Sequence, residues 1–225
     1  MSELLRLENI KKTYPSPGGG RLEILSSVSF SLSAGETAAI IGRSGSGKST
    51  LLSVAALLSK PDEGRILYSG RDALLLSEKE KAGLRRERLG FVFQSSLLLS
   101  DFSALENTAL PLMINGMRKK EAFEKASSYL ELVGLSDRKN HRPSELSGGE
   151  KQRTAIARAL VSDPLVVFAD EPTGSLDERS AADAEDILLS AVEKTGSGLL
   201  LVTHNPDFAS RCDRILTLSG GMLHE

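Results

Sequence analysis

The chain has 225 residues, with 28 lysines and arginines against 30 aspartates and glutamates, which gives a formal net charge of −2. This length suits a single domain, 1–225, with a sizeable core, and the balanced charge argues against a broadly basic nucleic-acid-binding protein. The only cysteine is Cys212, so no intrachain disulfide can form. The sequence shows neither an apolar run of the roughly 18 residues that a membrane-spanning helix needs nor a secretory signal. We therefore expect a cytoplasmic protein without direct membrane insertion.

The first third of the chain is dominated by short β-prone runs. Apolar and β-branched residues predict three strands, at Leu4–Ile10, Val28–Leu32 and Thr37–Ile41. A turn rich in glycine and serine follows, and the apolar stretch Lys48–Leu58 predicts a helix. The next predicted elements are a strand at 65–68, a helix at 77–88 and a strand at 89–93.

The middle of the chain has a helical pattern. Ser103 and Glu106 are spaced as a capping box, in which the two side chains accept hydrogen bonds from backbone amides at a helix start. Apolar residues recur every three or four positions over Lys119–Val133, and Gly134 follows as a helix end. We predict a helical subdomain at about residues 95–160, inserted into an α/β core.

The last third alternates between strands and helices. The predicted elements are a strand at Leu165–Ala169, a helix at Arg179–Glu193, a strand at Leu199–Thr203 and a hairpin around Gly220. Such alternation implies a largely parallel sheet with helices on its faces. The predicted fold class is therefore α/β.

The strongest local motif is the segment Gly42–Ser49, which fits the phosphate-loop pattern G-x-x-x-x-G-K-[ST] between a predicted strand and a predicted helix. Glycines let successive amides point inward and form an anion-binding nest. Lys48 would reach the β- and γ-phosphates, and the Ser49 hydroxyl would bind Mg²⁺. The alternative is a flexible turn. The residues expected to contact nucleotide here are Gly42, Arg43, Ser44, Gly45, Ser46, Gly47, Lys48, Ser49 and Thr50.

A second motif is the apolar strand that ends in Asp170 and Glu171. Carboxylates at the carboxyl end of a buried strand stand where α/β folds bind ligands. Asp170 would hold Mg²⁺, and Glu171 would polarise an attacking water. The alternative is an ordinary acidic strand end.

A third motif, Leu146–Glu150, precedes a predicted helix at Lys151–Val161. Ser147 and Glu150 again fit a capping box, which is the structural alternative. That alternative does not explain Gly148 and Gly149, which weaken a first turn unless the backbone closely approaches a neighbour. Exposed amides and a free hydroxyl predict a second anion site, which a dimer with shared nucleotides would use.

These motifs, together with Gln94 after one strand and His204 after another, resemble those of ABC transporter ATP-binding subunits, in the same order and over nearly the whole chain. The resemblance implies a P-loop NTPase core of ABC type, with a mixed, largely parallel sheet, flanking helices, an inserted helical subdomain and an amino-terminal antiparallel β part. It also implies a head-to-tail homodimer. Two ATP molecules would lie between the Lys48 loop of one copy and Ser147, Gly148 and Gly149 of the other.

Roles for further residues follow from the same resemblance. Glu171 is expected to be the general base, and His204 to contact γ-phosphate and water. Gln94 would face Mg²⁺ and water and touch the membrane partner. Tyr14 would stack on adenine, the alternative being a tyrosine that packs on the core. Asp177 matches a dimer-contacting loop next to the nucleotide, although the preceding Ser175 departs from the Asn or Ala of many relatives.

The segment Gln94–Asn107 lies where this family docks two integral membrane subunits. It is apolar for a loop, which is typical of interaction sites, although its leucines could instead pack inside the helical subdomain. The segments 101–107 and 141–145 are similar to those of the lipoprotein-releasing subfamily. The subunit would then act peripherally, on the inner face of the inner membrane.

The implied function is ATP hydrolysis that drives the release of lipoproteins from that membrane. The alternatives are a macrolide-exporter-like or cell-division-like ABC complex and a non-transport ABC ATPase. No nucleic-acid partner is expected.

Overall fold

The structure is a computed structural model that describes residues 2–16 and 19–225. It divides into two compact units. The first unit runs from the amino terminus to Arg85 and resumes at Gly198–Glu225, and the second unit is Arg86–Ser197.

The first unit contains eight strands and two whole helices among its described residues. The strands are β1 (Glu3–Pro15), β2 (Arg21–Ser33), β3 (Thr37–Ile41), β4 (Glu63–Tyr68), β5 (Arg71–Asp72), β8 (Gly198–Val202), β9 (Arg214–Ser219) and β10 (Met222–His224). The helices are α1 (Lys48–Ala55) and α7 (Pro206–Ala209), and α2 (Glu78–Arg88) leads into the second unit.

Two kinds of strand pairing occur in this unit. An antiparallel sheet has the order β2-β1-β4-β5, which confirms the predicted amino-terminal antiparallel part. The strand β3 is parallel to both β8 and β9, and β10 forms an antiparallel hairpin with β9. Ala38, Ala39 and Ile40 are fully buried, as expected for a strand covered on both faces.

The second unit combines two parallel strands with four helices. The strands are β6 (Leu89–Phe93) and β7 (Val166–Asp170), and the helices are α3 (Ala104–Ile114), α4 (Lys119–Leu132), α5 (Gly148–Leu160) and α6 (Glu178–Thr195). Helix α5 contacts α3, α4, α6 and β6. Small side chains let the helices pack closely in a cluster of Ala109, Leu112, Ala122, Ala126 and Val161.

Several boundaries differ from those predicted. Helix α1 stops at Ala55 because Leu57 takes a positive φ of 58°, a conformation that ends a helix. Helix α5 begins at Gly148, three residues before the predicted Lys151, because Ser147 caps it. Strands β1 and β2 extend beyond their apolar runs because they pair with each other up to Pro15 and Arg21.

Within residues 2–16 and 19–225, the helices all fall short of the length and apolar character that a membrane crossing demands.

Candidate functional site

The phosphate-loop segment connects β3 to α1 in the first unit. Gly47 stands at the amino-terminal cap of α1 with a φ of 99°, which favours glycine strongly. A β-carbon at Gly47 would lie 2.6 Å from Ile24 Cγ2, so a side chain does not fit there. The positive φ of Gly47 lets the backbone curl at this point, so that the first amides of α1 can point towards an anion.

The Lys48 side chain lies over the start of this loop. Its ammonium donates hydrogen bonds to the carbonyls of Gly42 at 2.9 Å and Arg43 at 3.2 Å, and the residue is only 9% exposed. The Ser46 hydroxyl is buried and has no hydrogen-bond partner among the described residues. A buried cation and a buried hydroxyl in a glycine-rich turn fit the phosphates of a nucleotide.

His204 belongs to the same edge of the first unit. Ile40 of β3 pairs with Val202 of β8, and the Thr203 amide donates to the Ile40 carbonyl at 3.2 Å. The phosphate loop follows the carboxyl end of β3, and His204 follows the carboxyl end of β8. These two paired strand ends lie at one edge of the sheet, where α/β folds place ligand-binding residues. Asn205 follows and caps α7 by accepting hydrogen bonds from two amides, while the His204 side chain is exposed.

Tyr14, the predicted adenine-stacking residue, lies near the end of β1. It is 40% exposed, and the Lys12 ammonium lies 5.2 Å from the centre of its ring. An accessible ring face next to a cation is suited to stacking on a base. The alternative, a tyrosine packed on the core, does not fit this exposure.

In the second unit, Gln94 and Glu171 each come directly after a strand end. Phe93 of β6 and Asp170 of β7 are partners in the parallel register, so the next residue of each strand leaves the same edge of the sheet. Glu171 has a φ of 47°. Such a conformation in a non-glycine residue is strained, and strain of this kind clusters at functional sites.

The Gln94 side chain lies against the loop that follows Glu171. A β-carbon at Gly174 would stand 3.1 Å from Gln94 Nε2, and the Ser175 hydroxyl donates to the Gln94 carbonyl at 2.9 Å. The backbone of Gly174 in turn donates to the Glu171 carbonyl at 3.0 Å. Gln94 and Glu171 are thus held by one short loop.

Helix α5 fixes the backbone on both sides of Gln94. The Gln152 amide donates to the Phe93 carbonyl at 2.9 Å. The Arg158 guanidinium donates to the carbonyls of Ser96 at 2.7 Å and Leu97 at 2.8 Å, and burial lowers the pKa of Arg158. Sequence reasoning missed both residues, because a glutamine and an arginine on an amphipathic helix also suit a solvated face.

The capping box at the start of α5 is present in full. The Ser147 hydroxyl accepts from the Glu150 amide at 3.2 Å, and Glu150 Oε2 accepts from the Ser147 amide at 2.8 Å. A β-carbon at Gly149 would lie 3.3 Å from Ser180 Cβ in α6, and one at Gly148 would lie 3.3 Å from Leu176 Cδ2. The two glycines therefore permit the close approach that the capping pattern left unexplained.

Asp177 caps helix α6. Its Oδ1 accepts from the Ser180 amide at 3.0 Å, and this backbone hydrogen bond holds the pKa of Asp177 below its ordinary value. The carboxylate is therefore charged at neutral pH. Its predicted contact with nucleotide across a dimer stays a prediction.

The segment that follows Gln94 exposes three large apolar side chains. Leu97, Leu99 and Phe102 are 59%, 46% and 37% exposed, respectively. Leu105 instead packs partly against the helical cluster, as one alternative for this segment predicted, and docking of a partner on the exposed side chains stays a prediction. Asn107 is buried, and its side chain binds the backbone of Leu99 through both its amide and its carbonyl.

The predicted site residues are divided between the two units. The first unit holds Tyr14, the loop 42–50 and His204, and the second holds Gln94, Ser147, Gly148, Gly149, Asp170, Glu171 and Asp177. The described residues contain no group of three or more His, Cys, Asp or Glu side chains that could hold a metal. This does not conflict with Ser49, Gln94 and Asp170 as Mg²⁺ ligands, since Mg²⁺ is commonly held by one or two carboxylates together with substrate phosphates.

Comparisons with known proteins agree with these motifs. Residues 25–174 match the model of the family described as ABC transporter. The chain is 48% identical over 221 residues to the lipoprotein-releasing system ATP-binding protein LolD of Coxiella burnetii, covering 98% of this chain and 94% of that protein. It is 46% identical to the LolD protein of Hyphomonas neptunium, covering 99% and 97%, respectively.

Among solved structures, the chain resembles the dimeric post-hydrolysis state of the ATP-binding cassette MJ0796 bound to ADP and Pi. The TM-score is 0.88 at 35% sequence identity, and the match covers 99% of this chain and 97% of that one. A second dimeric structure of MJ0796, a bacterial ABC transporter cassette, matches equally well. The predicted ABC-type P-loop fold is confirmed, and the chain belongs to the ABC transporter family.

Proposed function

We propose that this chain is the ATP-binding and ATP-hydrolysing subunit of an ABC complex that releases lipoproteins from a membrane. The observation that carries the proposal is the near-full-length identity, 46–48%, to lipoprotein-releasing ATP-binding proteins from two bacteria. The phosphate loop, the strand end at Glu171 and the start of α5 would supply the groups that bind and hydrolyse ATP. These relatives favour lipoprotein release over the macrolide-exporter-like, cell-division-like and non-transport alternatives.

ATP is bound first through the loop that holds Lys48. Binding of the phosphates would replace the contacts of the ammonium with the Gly42 and Arg43 carbonyls and give the buried Ser46 hydroxyl an acceptor. The amides at the start of α1 add further donors. Tyr14 stacks on the adenine.

Hydrolysis depends on residues that follow strand ends. Glu171 acts as the general base towards the attacking water, and His204 contacts the γ-phosphate and that water. Ser49, Asp170 and Gln94 would hold Mg²⁺, which would supply positive charge next to the phosphates. The strained backbone at Glu171 supports this assignment, because it fixes where the carboxylate stands.

We further propose that two copies form a head-to-tail homodimer with two ATP molecules, as the dimeric MJ0796 cassettes suggest. The segment 147–149 of one copy would contact the nucleotide of the other, with Asp177 nearby. Two integral membrane subunits would dock near Gln94–Asn107, where Leu97, Leu99 and Phe102 are exposed. The chain would thus work on the cytoplasmic face of the membrane.

The test is recovery of the complex from detergent-solubilised membranes of its own cell. A tagged Glu171→Gln form with ATP and Mg²⁺ should bring down integral membrane proteins that carry a large extracytoplasmic domain and bound lipoprotein. The matched control is Lys48→Ala, which should bind little nucleotide and recover less lipoprotein. Recovery of a multi-span permease without lipoprotein would contradict lipoprotein release, and recovery of soluble proteins alone would contradict the transport role.

A further inference from the structure

The start of helix α5 brings an acidic side chain to an expected anion site. Ser147 and the first amides of the helix are the groups that would face a γ-phosphate, and Glu150 lies in the same helical turn. A carboxylate at a helix start is favourable in a free protein, because it complements the helix dipole. Once an anion approaches, the same charge opposes binding.

The carboxylate of Glu150 is charged at neutral pH. The backbone hydrogen bond from Ser147 is the main influence that lowers its pKa below the ordinary value, and the Arg138 side chain lowers it further. Glu150 is 18% exposed, so solvent screens its charge only in part. A neighbouring cation would offset this charge when a phosphate binds to the same helix start.

Arg138 supplies this cation. Its Nε donates to Glu150 Oε1 at 2.8 Å, and the Arg138 side chain is 44% exposed. The other carboxylate oxygen, Oε2, accepts from the Ser147 amide at 2.8 Å. Arg138 thus pairs with the one oxygen of Glu150 that the capping box does not use, and it fixes the carboxylate in the orientation that the box requires.

Arg138 lies in a short ordered turn between α4 and α5. It ends a short 3₁₀ turn, Ser136–Arg138, which follows α4. Leu135, just before this turn, is buried, and its amide donates to the Leu130 carbonyl at 2.8 Å. The arginine therefore reaches α5 from a packed helix end. Because the Arg138 side chain is 44% exposed, we expect the ion pair to add only modestly to folding stability.

We propose that Arg138 is a positioning residue for the ATPase reaction, which neutralises and orients Glu150 so that the Ser147–Gly149 segment can accept the γ-phosphate of ATP. The inference rests on the proposed function, because the Ser147–Gly149 segment binds a γ-phosphate only if the chain is an ATPase that dimerises around ATP. Arg138 acts through Glu150 and does not itself contact the nucleotide. The ligand is a nucleoside triphosphate bound between two copies of the chain.

A double-mutant cycle in the full-length chain tests the proposal. The variants are Arg138→Met, Glu150→Gln and the two combined, and the readouts are the KM for ATP in hydrolysis and the ATP concentration needed for dimerisation. Arg138→Met should raise both by about tenfold, as expected for an uncompensated charge near an anion. The combined variant should return to within about twofold of Glu150→Gln alone, because no charge is left to neutralise.

Controls separate electrostatics from folding. Arg138→Lys should retain part of the wild-type affinity, since it keeps the charge but loses the planar donor. The exposed pair Arg118 and Glu121 serves as a matched cycle that should leave KM unchanged. Thermal unfolding of all variants should stay within a few degrees of the wild type.

Two results would overturn the inference. One is an Arg138→Met variant with unchanged KM, and the other is a combined variant that stays as impaired as Arg138→Met, which would show a structural role alone. A wild-type chain that neither hydrolyses ATP nor dimerises with it would instead contradict the proposed function. The two failures are therefore distinguished by the wild-type measurement.

Discussion

The side-chain amide of Gln152 donates a hydrogen bond to the backbone carbonyl of Phe93 at 2.9 Å. Phe93 immediately precedes Gln94, and Gln152 belongs to α5, the helix that begins at Gly148. One helix therefore carries the predicted second anion-binding segment at its start and binds the backbone just before Gln94 from its side.

The Arg158 contacts predict how the exposed apolar segment is held. Leu97 has a φ of 47°, a strained conformation, and Arg158 binds both its carbonyl and that of Ser96. Arg158→Met should therefore raise amide hydrogen exchange over residues 95–99 by about tenfold or more, the expected loss of two charge-assisted hydrogen bonds. Mass spectrometry of exchanged peptides measures this.

The control for this experiment is Arg153→Met, since the Arg153 guanidinium makes a long contact of 3.5 Å with the Val133 carbonyl, which lies outside residues 95–99. Its exchange over 95–99 should match the wild type. Equal exchange in Arg158→Met and the wild type would show that the segment holds its conformation without the arginine.

Replacement of Glu171 tests the assigned base. Glu171→Gln keeps the shape of the side chain but removes its basicity, so ATP hydrolysis should fall by roughly 10²–10⁴-fold. ATP binding should stay, because the Lys48 loop is untouched, and the dimer should accumulate with ATP. A phosphate-release assay and gel filtration measure the two effects.

The matched variant is Glu178→Gln, which changes an exposed glutamate in the first turn of α6. It should hydrolyse ATP at the wild-type rate. A Glu171→Gln form that is as active as Glu178→Gln would remove Glu171 from the mechanism.

Much of this architecture was predictable from the sequence. Strands β3 and β6 match their apolar runs residue for residue, because buried parallel strands need continuous apolar side chains. The Gly42–Ser49 loop was recognisable because its glycines, lysine and serine each have a separate physical role. The Ser103 and Ser147 capping boxes are also as expected.

Other features depend on tertiary contacts that a local pattern does not encode. The positive φ values of Leu97 and Glu171 have no sequence signal, since neither residue prefers that conformation. Helix α5 starts at Gly148 because its cap and its packing against Ser180 outweigh the low helix propensity of two glycines. The partners of Arg138 and Arg158 lie 12 to 62 residues away.

Cys212 should react slowly with thiol reagents in the folded protein. Burial raises the pKa of its thiol to about 11, from an ordinary value of 9.0. At pH 8 the reactive thiolate is then about a hundredfold scarcer than for an ordinary cysteine. Labelling with a chromogenic disulfide should accelerate by at least that factor in guanidinium chloride. Rapid labelling of the native chain would contradict this pKa direction.

Asn107 should be essential for the stability of the second unit. Its Oδ1 accepts from the Leu99 amide, and the two hydrogens of its Nδ2 are shared among the carbonyls of Leu99, Phe102 and Ser103 at 3.0–3.1 Å. Asn107→Ala removes all of these part-buried hydrogen bonds and empties a buried position, so the free energy of unfolding should fall by about 2–4 kcal/mol. Urea denaturation measures the change.

The control is Asn115→Ala, which loses one exposed contact of 3.4 Å. It should change the free energy of unfolding by about 0.5 kcal/mol or less. Equal stabilities for the two variants would show that the 99–103 backbone does not depend on Asn107.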